Sequence, residues 1–206
     1  MNKEEKFVIT ISRQFGTGGH EIGAELARRL NVKLLDKQIL NEVARKFCVV
    51  EEAVEKIESR NPLWRDDFTN FYRQYMAGAE YNGQEQDQTS HQLFDAQADA
   101  IRRIASQESC VIIGRCGFHI FRDHPNCLKI FIHADDACRK RRIAEKYDIS
   151  ESDAAAMIVD NDYSRELYTK NFTGSEWQDA RNYDLSINVR KFGVNGAVDF
   201  LMQCIQ

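Results

Sequence analysis

Residues 7–23 read FVITISRQFGTGGHEIG and join two kinds of sequence pattern through a turn that is rich in glycine. The run Phe7–Ile11 contains many β-branched residues, which predicts a buried strand. After the turn, Ile22, Leu26 and Leu30 recur at intervals of four, which places them on one face of a helix. A strand, a glycine-rich turn and a helix in this order are typical of the start of an α/β fold.

The glycine-rich turn has the composition of a phosphate cradle. Glycine lets the backbone turn tightly with its amides pointing inward, and the N-terminus of the following helix adds about half a positive charge. Both features favour the binding of a phosphate group. A tight strand-to-helix turn without any ligand is the alternative interpretation.

The turn departs from the phosphate-binding pattern GxxxxGK[ST] at two positions. When Gly16–Gly18 is aligned with the end of that pattern, Gly19 stands in place of the lysine. His20 then stands in place of the Ser or Thr that binds Mg²⁺. Arg13, in the same turn, is the nearest cation that could supply the missing charge. The dinucleotide pattern GxGxxG also fits poorly, because Glu21 replaces its last glycine.

The rest of the chain alternates strand and helix signals. Short apolar runs predict further strands at 32–35, 110–113, 128–132 and 184–189. Helical periodicity predicts helices at 39–47, 51–59, 93–104, 135–147 and 151–170, and a closing helix at 194–205. Strands separated by helices pair in parallel through right-handed crossovers. We therefore predict a single domain, residues 1–206, with a three-layer α/β fold around a five-stranded parallel sheet.

Residues 60–91 have a less regular pattern. Aromatic side chains recur there at helical spacing, at Trp64, Phe68, Phe71, Tyr72 and Tyr75. We interpret this aromatic stripe as core or dimer packing, and a base-stacking surface is the alternative. From Gly78 to His91 the sequence is polar without periodicity, which predicts a mobile loop.

Composition excludes several classes of protein. The 206 residues carry 28 Lys and Arg against 32 Asp and Glu, and the net charge of −4 argues against a dedicated nucleic-acid binder. No apolar run approaches the roughly 20 residues that a membrane span needs, and the N-terminus lacks the pattern of a signal peptide. The six cysteines include no CxxC pair, so we expect reduced thiols. These features indicate a cytoplasmic protein that binds neither nucleic acid nor a membrane.

Charged residues follow the ends of the predicted strands. Arg115 comes directly after a glycine at the end of the third strand, where a buried arginine needs an anionic partner. A basic cluster at 139–142 follows the fourth strand, and Arg139 and Arg142 share one helix face. A solvated helix face is the alternative for this cluster. Asp36, at the end of the second strand, is either a ligand-side carboxylate or the cap of the next helix.

Taken in order, these motifs resemble the cytidylate-kinase-like family of P-loop kinases. The similar segments are ITISRQFGTGGHEIGAELARRL, LLDKQIL, VIIGRCGFHI, LKIFIHADDACRKRRIAEKYDIS and NYDLSINVRKFG, and they cover nearly the whole chain. The resemblance implies a P-loop kinase fold with a helical lid at 135–172 and a small helical acceptor-binding insertion at 48–92. It also implies ATP as the phosphoryl donor, Mg²⁺ as the metal, and CMP or dCMP as the acceptor.

The resemblance also gives roles to the candidate residues. The residues expected to bind the donor phosphates are Ser12, Gly16, Thr17, Gly18, Gly19 and His20. The residues expected to act on the transferring group are Arg13, Arg139, Arg142 and Arg165. Arg115 is expected to hold the acceptor phosphate, and Asp36 to bind a hydroxyl group or a metal-bound water. Arg190 and Gly193, after the last strand, are expected to lie against the donor base.

The chain departs from the family where it has Gly114-Arg115-Cys116, since members of the family commonly have Gly-Arg-Asp there. This departure and the missing lysine leave two further hypotheses open. One is a nucleotide-binding regulatory protein without catalysis, and the other is a kinase for a different small metabolite. The histidines show no metal-site spacing, so the ligand of Mg²⁺ stays unassigned. A homodimer formed through the aromatic stripe is a further hypothesis.

Overall fold

The computed structural model describes residues 1–36 and 83–205, and for residues 83–90, 92 and 93 it describes the backbone alone. The predicted helices at 39–47 and 51–59 and the aromatic stripe lie outside the described residues. The same holds for most of the predicted insertion at 48–92. These expectations stay predictions.

Strands and helices alternate along the described chain. The strands are β1 Val8–Arg13, β2 Lys33–Leu35, β3 Cys110–Ile113, β4 Cys127–His133 and β5 Leu185–Asn188. The helices are α1 Gly19–Leu30, α2 Gly83–Gln107, α3 Gly117–Ile120, α4 Asp136–Tyr147, α5 Glu151–Thr173 and α6 Val189–Cys204, with a short 3-10 helix at Ala180–Asn182. None of these helices is long and apolar enough to cross a membrane.

The five strands form one parallel sheet in the order β2-β3-β1-β4-β5, which confirms the predicted α/β architecture. The central strand, β1, pairs with β3 on one side and with β4 on the other, so that Ile11 lies between Ile113 and Ile130. The glycine-rich turn therefore leaves the sheet at its centre.

The two faces of the sheet bury different apolar clusters. Ile9 and Ile11 of β1 pack with Ile22 and Leu26 of α1, and this cluster extends to α6 through Leu201. On the other face, α2 contributes Ile101 and Ala105 to a cluster that contains Leu35 and Ile112. This arrangement makes three layers, and it keeps the end of β1 rigid because all of these side chains are buried.

The predicted lid range, 135–172, contains α4 and α5. These two helices pack on each other through Ile143, Ala154 and Ile158, and Phe15 of the glycine-rich turn packs against the same cluster. The turn after β1 is thus in direct contact with both helices.

Two predicted boundaries are wrong. The loop predicted from Gly78 to His91 is helical from Gly83 onward, where α2 begins. The glutamines and the glutamate of this segment favour a helix. The sequence did not predict one because apolar residues do not recur there at helical spacing. The closing helix, predicted at 194–205, begins at Val189. Gly193 interrupts the helix with φ 65° and ψ 177°. Because of this break, the residues before Gly193 do not continue the helical spacing of the later apolar residues.

Candidate functional site

The candidate site lies at one edge of the sheet, where all five strands end. Arg13 ends β1, Asp36 follows β2, and the segment Gly114–Cys116 follows β3. Asp135 and Val189 come after the ends of β4 and β5. In a parallel sheet these ends meet at the same edge, which is where ligands of α/β folds bind.

Hydrogen bonds of Thr17 and Gln14 fix the shape of the glycine-rich turn. The Thr17 hydroxyl is buried and donates to the Gln14 carbonyl at 2.8 Å. Gln14 in turn accepts from the Ala134 amide through Oε1 at 3.2 Å. Gly18 has φ 75°, a left-handed value that favours glycine, and it begins α1 without any side-chain cap. The first amides of α1 and its positive dipole end are therefore available to an anion.

Arg13 runs from the glycine-rich turn to the end of β3. A Cβ atom at Gly19 would lie 2.7 Å from Cβ of Arg13, and one at Gly114 would lie 2.5 Å from its Nη1. Both glycines therefore leave the space that the arginine side chain occupies. The aliphatic part of the side chain lies against Gly19, and the guanidinium lies against Gly114 at the end of β3.

The pKa of the partly buried Arg13 is lowered from 12.5 to about 9. Burial is the largest cause, and the neighbouring cations Arg165 and Arg115 also lower it. Asp162 and Asp36 act in the opposite direction, but more weakly. Within residues 1–36 and 83–205, Arg13 makes neither a hydrogen bond nor an ion pair within 4 Å. A cation in such surroundings favours the binding of an anion.

Arg115 lies in a strained turn at the end of β3. Gly114, Arg115 and Cys116 have φ angles of 73°, 53° and 52° in succession, and non-glycine residues rarely adopt such values. Nη1 of Arg115 donates to Oε1 of Gln97 at 3.3 Å, and Gln97 is buried. The strained backbone and this hydrogen bond together orient the Arg115 guanidinium.

Cys116 brings no negative charge to the neighbourhood of Arg115. Burial raises the pKa of its thiol to about 12, although a hydrogen bond with Thr169 acts in the opposite direction. The thiol is therefore protonated at neutral pH. Where the family commonly has an aspartate, this chain has an uncharged group.

Asp162 of α5 connects the glycine-rich turn to the two helices behind it. Its Oδ1 accepts from the Phe15 amide at 2.7 Å and from Nη1 of Arg165 at 3.2 Å. Its Oδ2 accepts from Nη1 of Arg139. Arg139 also donates to Oδ1 of Asp136 at 2.6 Å and to the Phe15 carbonyl at 3.3 Å. The predicted action of Arg139 on the transferring group stays a prediction, since its guanidinium here holds two carboxylates.

Arg142 lies directly over the glycine-rich turn. A Cβ atom at Gly18 would lie 2.9 Å from Nη2 of Arg142 and 2.9 Å from Cγ2 of Val194. The same Nη2 contacts Oε2 of Glu21, a residue of the first turn of α1. The structure thus brings Arg142 to the turn, as the predicted role requires.

The remaining predicted residues occupy the rim and the underside of this edge. His20 and Asp36 contact each other at 3.3 Å on the rim, and Arg190 pairs with Asp135 at 3.2 Å. Ser12 points to the opposite face of the sheet from Arg13, where its side chain contacts the buried Tyr183 hydroxyl. Its hydroxyl is therefore not directed toward the glycine-rich turn, and its predicted role in binding stays a prediction.

Gly193 is the exposed break in α6, and no described residue beyond its own helix lies within 4 Å of where its Cβ would be. Its predicted place beside the donor base also stays a prediction.

Among the described residues, no three His, Cys, Asp or Glu side chains lie close enough together to hold a metal ion. The sequence reasoning missed Asp162 and Gln97 as site residues. No local pattern marks either, since the Phe15–Asp162 hydrogen bond spans 147 residues and the Arg115–Gln97 bond spans 18.

Solved structures show the same fold. Shikimate kinase from Bacteroides thetaiotaomicron is 14% identical and superimposes with a TM-score of 0.51 over 97% of this chain and 98% of the other. A structure of an uncharacterized protein from Eubacterium ventriosum is more similar, at 29% identity and a TM-score of 0.72, over 98% of both chains. The fold is that of the α/β P-loop kinases.

The profile of the cytidylate kinase-like family matches residues 8–191, and the chain belongs to that family. A curated cytidylate kinase from Methanosarcina acetivorans is 31% identical over 103 residues. That match covers 50% of this chain and 57% of the relative, so it spans little more than half of the relative's length.

Proposed function

We propose that this protein transfers the γ-phosphoryl group of ATP to a nucleoside monophosphate, and that the acceptor is CMP or dCMP. The observation that carries this proposal is the convergence of Arg13, Arg115 and Arg165 beside the glycine-rich turn, with Arg13 lowered in pKa by burial among cations. Phosphoryl transfer depends on cations placed around the transferring group. The family name and the name of the curated relative support a cytidylate as the acceptor.

The donor phosphates would bind the amides of Gly16, Gly18 and Gly19. Two features support this role: α1 begins without a side-chain cap, and Arg142 lies over Gly18. Arg13 would supply the charge of the missing lysine, because its side chain passes Gly19 and carries the guanidinium to Gly114 at the end of β3. A guanidinium presents paired donors in a plane that match two phosphate oxygens, whereas the lysine ammonium acts as a compact point charge.

The acceptor phosphate would bind Arg115. The buried Gln97 orients this guanidinium, and the neutral Cys116 thiol does not compete for it. Arg13 reaches Gly114, immediately before Arg115, so it lies between the proposed donor and acceptor sites. Arg165, which faces Arg13 and rests over the Phe15 ring at 5.4 Å, would stabilise the charge that develops during transfer.

The donor set fits Mg²⁺ bound mainly through substrate phosphates. Mg²⁺ in kinases is held by one or two carboxylates together with phosphate oxygens. Asp36, at the end of β2 and with a side chain that is 20% exposed, is the carboxylate that would hold it. A Mg²⁺ ion held by Asp36 would supply positive charge that offsets the charge of the donor phosphates. The buried Thr17 hydroxyl donates to Gln14 and is not directed to such a site.

The direct test is a transfer assay with ATP, Mg²⁺ and a panel of nucleoside monophosphates. We expect the highest kcat/KM with CMP or dCMP. A folded protein that turns over none of them contradicts the nucleotide-kinase proposal. Turnover only on a panel of small metabolites would support the alternative acceptor.

A nucleotide-binding regulatory protein is the second candidate function, and the glycine in place of the lysine favours it. In that case calorimetry would show tight ATP binding that the change Arg13→Ala leaves intact, and no transfer would occur. The cytoplasmic location and the homodimer stay predictions. A dimer that is lost when Trp64 and Phe68 are mutated would support the second of them.

A further inference from the structure

Asp162 is the point where the glycine-rich turn, α4 and α5 are held together. We propose that Asp162 is a positioning residue that fixes this turn in its phosphate-binding shape. The proposal rests on the proposed function only for the identity of the ligand. The contacts that support it are made between residues of the protein and involve no ligand.

Phe15 is the residue of the turn that Asp162 holds, and it is held at three places. Its amide donates to Oδ1 of Asp162 at 2.7 Å. Its carbonyl accepts from Arg139 at 3.3 Å, and Arg139 is itself bound to Oδ2 of Asp162. Its ring lies under Arg165, whose guanidinium donates to Oδ1 of Asp162 at 3.2 Å. The carboxylate therefore acts on the backbone and on the ring of the same residue.

The position of Phe15 determines where the phosphate cradle begins. Gly16 follows with φ 82° and packs closely on α4, since a Cβ atom there would lie 3.0 Å from Cγ1 of Ile143 and 3.1 Å from the Arg139 carbonyl. A shift of Phe15 would force Gly16 to move against α4. The amides of Gly18 and Gly19 would then lose their arrangement, although Asp162 touches neither residue.

The charge of Asp162 also balances the cations around it. Its side chain is 13% exposed and pairs with Arg139 and Arg165, and it opposes the loss of charge on Arg13. Without this carboxylate, Arg139 would keep Asp136, but Arg165 would lose its ion pair with Asp162 and would still face Arg13. Since like charges repel, Arg165 would move away from the turn.

The test compares Asp162→Ala and Asp162→Asn with Glu166→Gln, an exposed change on the same helix that removes the same charge. Amide hydrogen exchange is followed at residues 14–19 and, as an internal reference, in β1. Because a hydrogen bond to a charged group is lost, we expect exchange in the turn to rise about ten- to a hundredfold in Asp162→Ala, with exchange in β1 unchanged. Asparagine retains an oxygen acceptor for the Phe15 amide, so Asp162→Asn should raise exchange less, and Glu166→Gln should match the wild type.

The functional readout is the binding of a non-hydrolysable ATP analogue, together with KM and kcat. We expect Asp162→Ala to weaken analogue binding and to raise the KM for ATP about tenfold or more, because the turn must be ordered when the ligand binds. The KM for the acceptor should change less.

Unchanged exchange in the turn of Asp162→Ala would overturn the proposal. Faster exchange throughout β1 and the turn in both Asp162 variants would also overturn it, since Asp162 would then stabilise the whole fold. If the wild-type protein bound no ATP analogue, the proposed function would fail, while the exchange data would still decide the role of Asp162.

Discussion

Arg13 and Arg139 both contact the glycine-rich turn, Arg13 at Gly19 and Arg139 at Phe15, and they differ in what neutralises them. Arg139 is 6% exposed, and its guanidinium binds the carboxylates of Asp136 and Asp162. Arg13 has cations as its strongest electrostatic neighbours, and its pKa is lowered to about 9 mainly by burial. Among the described residues, Arg139 thus makes two ion pairs, whereas Arg13 makes neither a hydrogen bond nor an ion pair within 4 Å.

This difference separates a structural role from a binding role. A buried ion pair holds elements together, and removing one of its partners is costly. A buried cation surrounded by other cations lowers stability until an anion binds. We infer that Arg139 maintains the turn and that Arg13 binds the phosphates. The two arginines should therefore respond differently to the same substitution.

The largest expected effect is on catalysis by Arg13→Ala. Removing a cation that stabilises the transferring group should lower kcat/KM about 10³-fold, close to 4 kcal/mol, with ATP and CMP. The melting temperature should stay the same or rise, because a repelled cation is removed. Arg13→Lys should restore part of the activity, as it keeps the charge without the planar guanidinium. Activity near that of the wild type in Arg13→Ala would remove Arg13 from the mechanism.

The next effect is on stability, by Arg139→Ala. This change leaves the mostly buried Asp162 without one of its two arginines and should lower the free energy of unfolding by about 3 kcal/mol. Urea unfolding measures it, and Arg141→Ala is the control, since Arg141 is an exposed residue on the same helix. If the two variants were equally stable, the network around Arg139 would not be structural.

The smallest effect is on the acceptor, by Gln97→Ala. The hydrogen bond from Arg115 to Gln97 is long, at 3.3 Å, so its loss should raise the KM for CMP about tenfold, with little change in the KM for ATP. Steady-state kinetics with each substrate varied in turn would show this split. An equal rise in both KM values would mean that Gln97 supports the whole site rather than Arg115 alone.

The sequence predicted the strands well because their signals are local. The run at 110–113 agrees residue for residue with β3, and the strand–turn–helix order at the N-terminus is confirmed. It also placed Arg115 directly after the third strand, as the structure does, while Arg13, predicted in the turn, is the last residue of β1.

Features that depend on contacts between distant segments could not be predicted in the same way. Asp162 is one of several acidic residues on α5, and only the fold shows that it faces Phe15. The ion pair between Arg139 and Asp162 could not be predicted for the same reason. Spacing on a helix indicates which residues share a face, but not which residues of another helix they contact. The start of α2 was missed because polar helix formers carry no apolar period.

The central claim is that Arg13 binds a polyphosphate. Thermal unfolding with added tripolyphosphate tests this claim most directly. A ligand at one hundred times its dissociation constant stabilises the folded state by about 2.7 kcal/mol. We predict a clear rise in the melting temperature of the wild type and of Arg141→Ala, and little or no rise in Arg13→Ala. An equal rise in Arg13→Ala and the wild type would contradict the account.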